Sequence, residues 1–265
     1  MNRNAPIGVF DSGLGGLTAL RQLQKDLPLE KFIYFGDTAR VPYGGRDKET
    51  LRSFAQSDIA LLRSFGVKAI LVACGTLSSV LLEEIRGDYD IPLVGVVKSA
   101  AAAASEKGSR VAVWGTAASI GSGAYAREVE RLGKKAVSSV PCPKLVPLIE
   151  SGNTAPDHPE TKAAIAEYLA PVLLAQADVL ILGCTHYPLL EEAIRAQADI
   201  PLINSGKESV RSLKETLAAQ GLLRTDGEGS TRYFVSGDIE TFVKQGSLFM
   251  GEDLCGKVEY ADAGK

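Results

Sequence analysis

The sequence holds little of what metal or redox chemistry is built from. In 265 residues there are two histidines, four cysteines, two methionines and one tryptophan. A centre built on imidazoles would have to use both His158 and His186, so no metal site is expected. Cys74, Cys142, Cys184 and Cys255 lie far apart with no C-x-x-C pair, which argues against a zinc knuckle or a dithiol motif and leaves free thiols in a reducing compartment. An excess of either charge is missing too. Lys and Arg number 29 against 32 Asp and Glu, a net charge of -3 with no block of one sign, and nucleic acid is not an expected partner. No stretch reaches the roughly 18 uninterrupted apolar residues of a membrane span, and the first apolar run, Ile7 to Phe10, is short; the expectation is a cytoplasmic protein with no membrane partner. What remains is an ordinary globular composition, 45% hydrophobic and 23% charged, long enough for one large domain or two small ones. Cysteine is the residue type to watch.

Short aliphatic runs alternate with helix-period stretches along nearly the whole chain, the pattern of an α/β protein with parallel sheets. Strands are expected at Ile7 to Phe10, Phe32 to Phe35, Ala69 to Ala73, Leu93 to Val96, Val111 to Trp114, Ala136 to Val140, Val179 to Leu182, Pro201 to Ile203 and Arg232 to Ser236. Helices are expected at Thr18 to Lys25, Asp47 to Phe65, Ser78 to Ile85, Lys98 to Lys107, Gly123 to Leu132, Pro159 to Ala175, Leu189 to Gln197 and Lys207 to Gln220. Strands such as Ala69-Ile70-Leu71-Val72-Ala73 are apolar at every position, as central strands covered on both faces must be. A weak repeat relates Val9 to Val113 and, at a similar spacing, Cys74 to Cys184. The expected architecture is therefore two similar, doubly wound α/β domains whose parallel sheets face an interdomain cleft. Residues 1–97 with 206–265 would form the first and residues 98–205 the second. Gly227 to Ser230 reads as a loop and Gly256 to Lys265 as a frayed tail.

Ligands of open parallel sheets bind beyond the carboxyl ends of the strands. Four such positions are polar: Asp11-Ser12-Gly13-Leu14-Gly15-Gly16, Gly36-Asp37-Thr38 leading to Pro42-Tyr43-Gly44, Cys74-Gly75-Thr76, and Cys184-Thr185-His186-Tyr187-Pro188. The glycine turn is not a dinucleotide fingerprint, because Thr18 stands where the third glycine would fall, and no P-loop pattern occurs. It can cap the next helix through Asp11 or Ser12, or present N–H groups to a small carboxylate. Cys74 and Cys184 each end a strongly apolar strand and precede a helix. Each alone reads as a small buried hydrophobe; as counterparts in facing halves they read as two thiols sharing one cleft. Two like acid–base groups on opposite sides of a carbon suit a proton transfer that inverts it and runs both ways. Cys184 with His186 leaves open a covalent nucleophile for acyl transfer, and a binding module that keeps the cleft without catalysis is a further alternative.

At these residues the chain resembles the glutamate racemases of the aspartate/glutamate racemase family. The resemblance runs through Ile7-Gly8-Val9-Phe10-Asp11-Ser12-Gly13, Tyr34-Phe35-Gly36-Asp37-Thr38-Ala39-Arg40-Val41-Pro42-Tyr43-Gly44 and Leu182-Gly183-Cys184-Thr185-His186-Tyr187-Pro188-Leu189-Leu190, with Pro141-Cys142-Pro143 and Val146 to Glu150 also matching. It implies a cofactor-independent racemase of bacterial wall synthesis, with glutamate as its small-molecule substrate and a homodimer as a possible assembly. By resemblance, Cys74 takes the α-proton of D-glutamate and Cys184 that of L-glutamate. Asp11, Ser12, Tyr43, Gly44, Gly75, Thr76, Thr185 and His186 contact substrate or tune the thiols, and Asp37 and Glu150 stand behind them. Cys142 reads as structural and Cys255 has no catalytic context. Two positions depart from the family pattern. Gly75 replaces the asparagine of Cys-Asn-Thr, removing a side-chain amide that Ser78, Ser79 or a water would have to replace, and Asn204 replaces a common aspartate. The first departure bears on the choice between glutamate and aspartate or a related amino acid.

Overall fold

The computed structural model describes residues 2–264. Its strands are β1 (Ile7–Asp11), β2 (Lys31–Gly36), β3 (Ala69–Val72), β4 (Leu93–Gly95), β5 (Arg110–Gly115), β6 (Lys135–Pro141), β7 (Val179–Leu182), β8 (Leu202–Asn204), β9 (Ser230–Val235) and β10 (Val258–Tyr260). Its α-helices are α1 (Gly16–Asp26), α2 (Lys48–Ser64), α3 (Gly75–Val80), α4 (Leu82–Ile85), α5 (Val96–Lys107), α6 (Ala117–Gly121), α7 (Ala124–Arg131), α8 (Leu145–Glu150), α9 (Pro159–Leu174), α10 (Glu191–Arg195), α11 (Ser205–Ala219) and α12 (Ile239–Met250).

The strands form two wholly parallel sheets, one ordered β10-β9-β2-β1-β3-β4 and the other β6-β5-β7-β8. The order β2-β1-β3-β4 repeats as β6-β5-β7-β8, so the spacing seen in sequence is a real structural repeat: β1 corresponds to β5, and β3, which leads into Cys74, corresponds to β7, which leads into Cys184. The all-apolar strands are the buried centres of the sheets, with every residue of β1, β3 and β7 buried. Each sheet has its own apolar layer, and a third cluster runs from Leu17, Leu20 and Tyr34 to Trp114, Leu145 and Leu182, joining the halves.

Two expectations need correction. The expected helix Ser78 to Ile85 is broken: α3 starts three residues earlier, directly after Cys74, and a break at Leu81 separates it from α4. The tail is not simply frayed, because Val258–Tyr260 pairs in parallel with β9 as the edge strand β10. Lys265 lies outside the described residues. Among the described residues, no helix is long and apolar enough to cross a membrane.

Candidate active site

The turns that follow β1, β3, β5 and β7 meet at a seam between the two halves. Thr18 of α1 places its hydroxyl 2.9 Å from the Thr185 carbonyl. Thr76 and Thr116 bring their hydroxyl oxygens within 3.2 Å, and Thr116 in turn donates to the Ser119 hydroxyl at 2.9 Å.

On the first half, Asp11 ends β1 and is buried; its carboxylate accepts the Gly13 N–H at 3.0 Å. Burial raises its pKa, while His186 across the seam and the N–H groups of Gly13 and Gly16 act against that rise. Cys74 follows β3 as the cap of α3 and points its thiol at the Ser12 hydroxyl, 3.7 Å away. Burial first, and then the Asp11 carboxylate, push the Cys74 thiol up to about 12, against the opposing pull of the Leu77 N–H, the Ser12 hydroxyl and the Thr76 N–H.

On the second half, the Cys184 sulfur lies 3.7 Å from His186 Nδ1, and His186 Nε2 lies 3.1 Å from a carboxylate oxygen of Glu150, the last residue of α8. Phe249 packs edge-on to the imidazole at 5.5 Å. Burial works against a charged ring. The Cys184 sulfur, the Glu150 carboxylate and the Asp11 carboxylate outweigh it and bring His186 up to about 10.

Tyr43 and Gly44, expected together at the substrate, part here: Gly44 faces the seam and the Tyr43 hydroxyl does not. Gly44 lies beside Thr76 and Thr116 at the seam. The Tyr43 hydroxyl turns away into the first half, bonding to Asp37 and, at 3.0 Å, to Asp58. Arg40 ties both carboxylates, at 2.5 Å to Asp37 and 2.6 Å to Asp58, and stacks on Phe54. Burial, then the charge of Asp37, pushes Asp58 up to about 8, against the pull of Arg40 and Tyr43. Asp37 thus stands behind Tyr43, and this network fixes the turn that carries Gly44.

Sequence reasoning missed Thr116, Ser119, Arg40 and Asp58. A signal for Thr116 existed: the spacing that takes Val9 to Val113 also takes Ser12 to Thr116. Ser78 and Ser79 do not stand in for a missing amide at position 75, because their hydroxyls bond to the Val72 and Gly75 carbonyls. Asn204 is a cap, its Oδ1 accepting the Lys207 N–H at the start of α11. Cys142 is buried with its thiol on the Val140 carbonyl, and Cys255 is exposed. A surface groove of about 700 Å³ lies apart from the thiols, and within its lining Lys98 and Arg86 pair with Glu83 and Arg131 with Glu128.

The profile of the Asp/Glu/Hydantoin racemase family matches residues 18–213. A glutamate racemase of Thermus thermophilus is 46% identical over 242 residues, 90% of each chain, and one of Persephonella marina is 40% identical over 251 residues, 94% of each. Among solved structures, glutamate racemase from Francisella tularensis in complex with D-glutamate superposes with a TM-score of 0.92 at 33% identity, covering 98% of both chains.

Proposed function

The chain belongs to the Asp/Glu/Hydantoin racemase family, and on that premise we propose that it interconverts L- and D-glutamate without a cofactor, by proton transfer between two cysteines. The observation that carries this reading is the pair of buried thiols at the ends of equivalent strands, one on each side of a common seam. Residues 1–97 with 206–265 and residues 98–205 would act as the two domains enclosing the substrate. In the L-to-D direction the Cys184 thiolate takes the α-proton, and the Cys74 thiol gives its own proton to the opposite face of the carbanion. Cys184 is left as thiol and Cys74 as thiolate, the arrangement that serves D-glutamate in reverse.

The environments fit this division. Cys74 retains its proton at neutral pH, as an acid must, and Cys184 sits beside an imidazole that the sulfur itself, Glu150 and Asp11 together push up to about 10. The hydroxyls of Ser12, Thr76, Thr116 and Thr185, with the N–H groups of Gly44 and Gly75, would receive the substrate's carboxylates. The product would be D-glutamate made in the cytoplasm for peptidoglycan.

The test is incubation of L-glutamate with the purified protein in D2O. The expected result is D-glutamate carrying deuterium at the α-carbon, with much slower turnover of aspartate. Glutamate binding without α-hydrogen exchange would leave a non-catalytic binder, and faster turnover of aspartate would reassign the substrate.

A further inference from the structure

The residues flanking the two thiols touch each other across the seam. Gly75 follows Cys74, and Gly183 precedes Cys184. A Cβ placed on Gly75 would lie 2.6 Å from the Gly183 carbonyl oxygen, a distance that real Cβ atoms essentially never show. That oxygen is backbone at the end of a central strand. It cannot swing aside, since Gly183 N–H bonds to the Trp114 carbonyl at 2.8 Å and a Cβ on Gly183 would itself meet that carbonyl at 2.7 Å. Ser119 Oγ is in ordinary van der Waals contact with the same Cβ position on Gly75, at 3.8 Å. Gly75 does not occupy the left-handed region, so its glycine is required by the close approach and not by backbone conformation.

We infer that Gly75 is a positioning residue of this chain: by lacking a side chain it seats the Cys74 turn directly on the Gly183 carbonyl and so sets the gap between the two sulfurs. The inference rests on the two-thiol reading above. The side-chain amide lost from the family's Cys-Asn-Thr pattern is then a side chain that the contact of the two turns in this chain leaves no room for. A second glycine contact supports the same seating, because a Cβ on Gly15 would fall 2.1 Å from Thr185 Oγ1 and 2.5 Å from His186 Nδ1. Proton transfer is steep in donor–acceptor distance, and displacements of about 1 Å can cost on the order of 100-fold in rate.

The experiment pairs Gly75→Ala with two readouts on the full chain. The first is racemisation of α-protiated and α-deuterated glutamate; the second is the rate at which iodoacetamide alkylates Cys74 and Cys184, located by mass spectrometry. The expected result is a kcat lower by roughly 10- to 100-fold with a smaller change in KM, a larger α-deuterium isotope effect, and alkylation several-fold faster as the seam opens. Wild-type values in both readouts, or faster alkylation with unchanged kcat and isotope effect, overturn the inference. If the wild type fails to racemise glutamate, the functional reading falls, while faster alkylation of the variant still upholds the seating itself and unchanged alkylation removes both. Should the alanine variant fail to fold, Thr18→Val loosens the same seam without added bulk. It is expected to move both readouts a few-fold in the same direction, and no movement counts against the inference.

Discussion

The two halves place a cysteine after equivalent strands, yet they surround it differently. Cys74 faces a neutral hydroxyl with the Asp11 carboxylate nearby, whereas Cys184 faces an imidazole clamped by Glu150. The repeat fixes where the sulfurs sit, and the residues grafted onto each half fix what each sulfur faces. A symmetric scaffold thus carries unsymmetric surroundings: burial and Asp11 push the Cys74 thiol up, while the imidazole beside Cys184 is itself pushed up by the sulfur and by Glu150. Because L- and D-glutamate are equal in energy, kcat/KM must be the same in both directions at any pH. The asymmetry can show only in how kcat and KM divide.

The sharpest way to break this comparison is to remove one sulfur at a time. Cys74→Ser and Cys184→Ser are each expected to lower racemisation by at least about 1000-fold, measured by polarimetry in both directions. Near-full turnover from either variant ends the two-thiol mechanism. A smaller effect tests the second half alone. Glu150→Gln removes a charge that raises His186, so the imidazole loses its proton at lower pH and the alkaline limb of the pH–rate profile moves down, with a loss of a few-fold in kcat near neutrality. An unmoved alkaline limb would detach Glu150 from the Cys184 side. The smallest effect belongs to the first half, in the carboxylate network behind Tyr43. Asp58 has its pKa raised in the folded state to about 8, so its contribution to stability is present below the unfolded carboxylate's ordinary pKa and is lost as pH rises toward 8. Asp58→Asn should flatten the dependence of Tm on pH between about 4 and 8, the window those two values span, when followed by thermal melts. An identical slope in variant and wild type would place the titration elsewhere.

The fold was largely legible because central parallel strands are apolar at every position, and few other structures require Val179-Leu180-Ile181-Leu182. β10 was not, since three residues after a glycine carry no periodicity and are ordered by pairing with β9. In the site, cysteine and histidine stood out because they are scarce. Thr116 and Ser119 did not, since hydroxyl residues at a strand end are common and become notable only when the other half delivers Thr76 beside them. The inward turn of the Tyr43 hydroxyl depends on Asp58, placed on α2 by helical phase, and no local spacing announces it. The contact of Gly75 with Gly183 joins the start of α3 to the turn after β7, in separate halves, so the sequence showed only that an amide was missing.

The chain passes between the sheets twice, once through α5 on leaving β4 and once through α11 on returning from β8, and these two helices pack against each other. A body tethered at one point can swivel freely; one held by two adjacent connections keeps a single easy rotation, about the line joining them. The second half is hung on the first like a door on paired pins. Sliding or twisting of that half would strain both crossings at once. The two crossings therefore hold the ends of β3 and β7, and with them Cys74 and Cys184, in a single register.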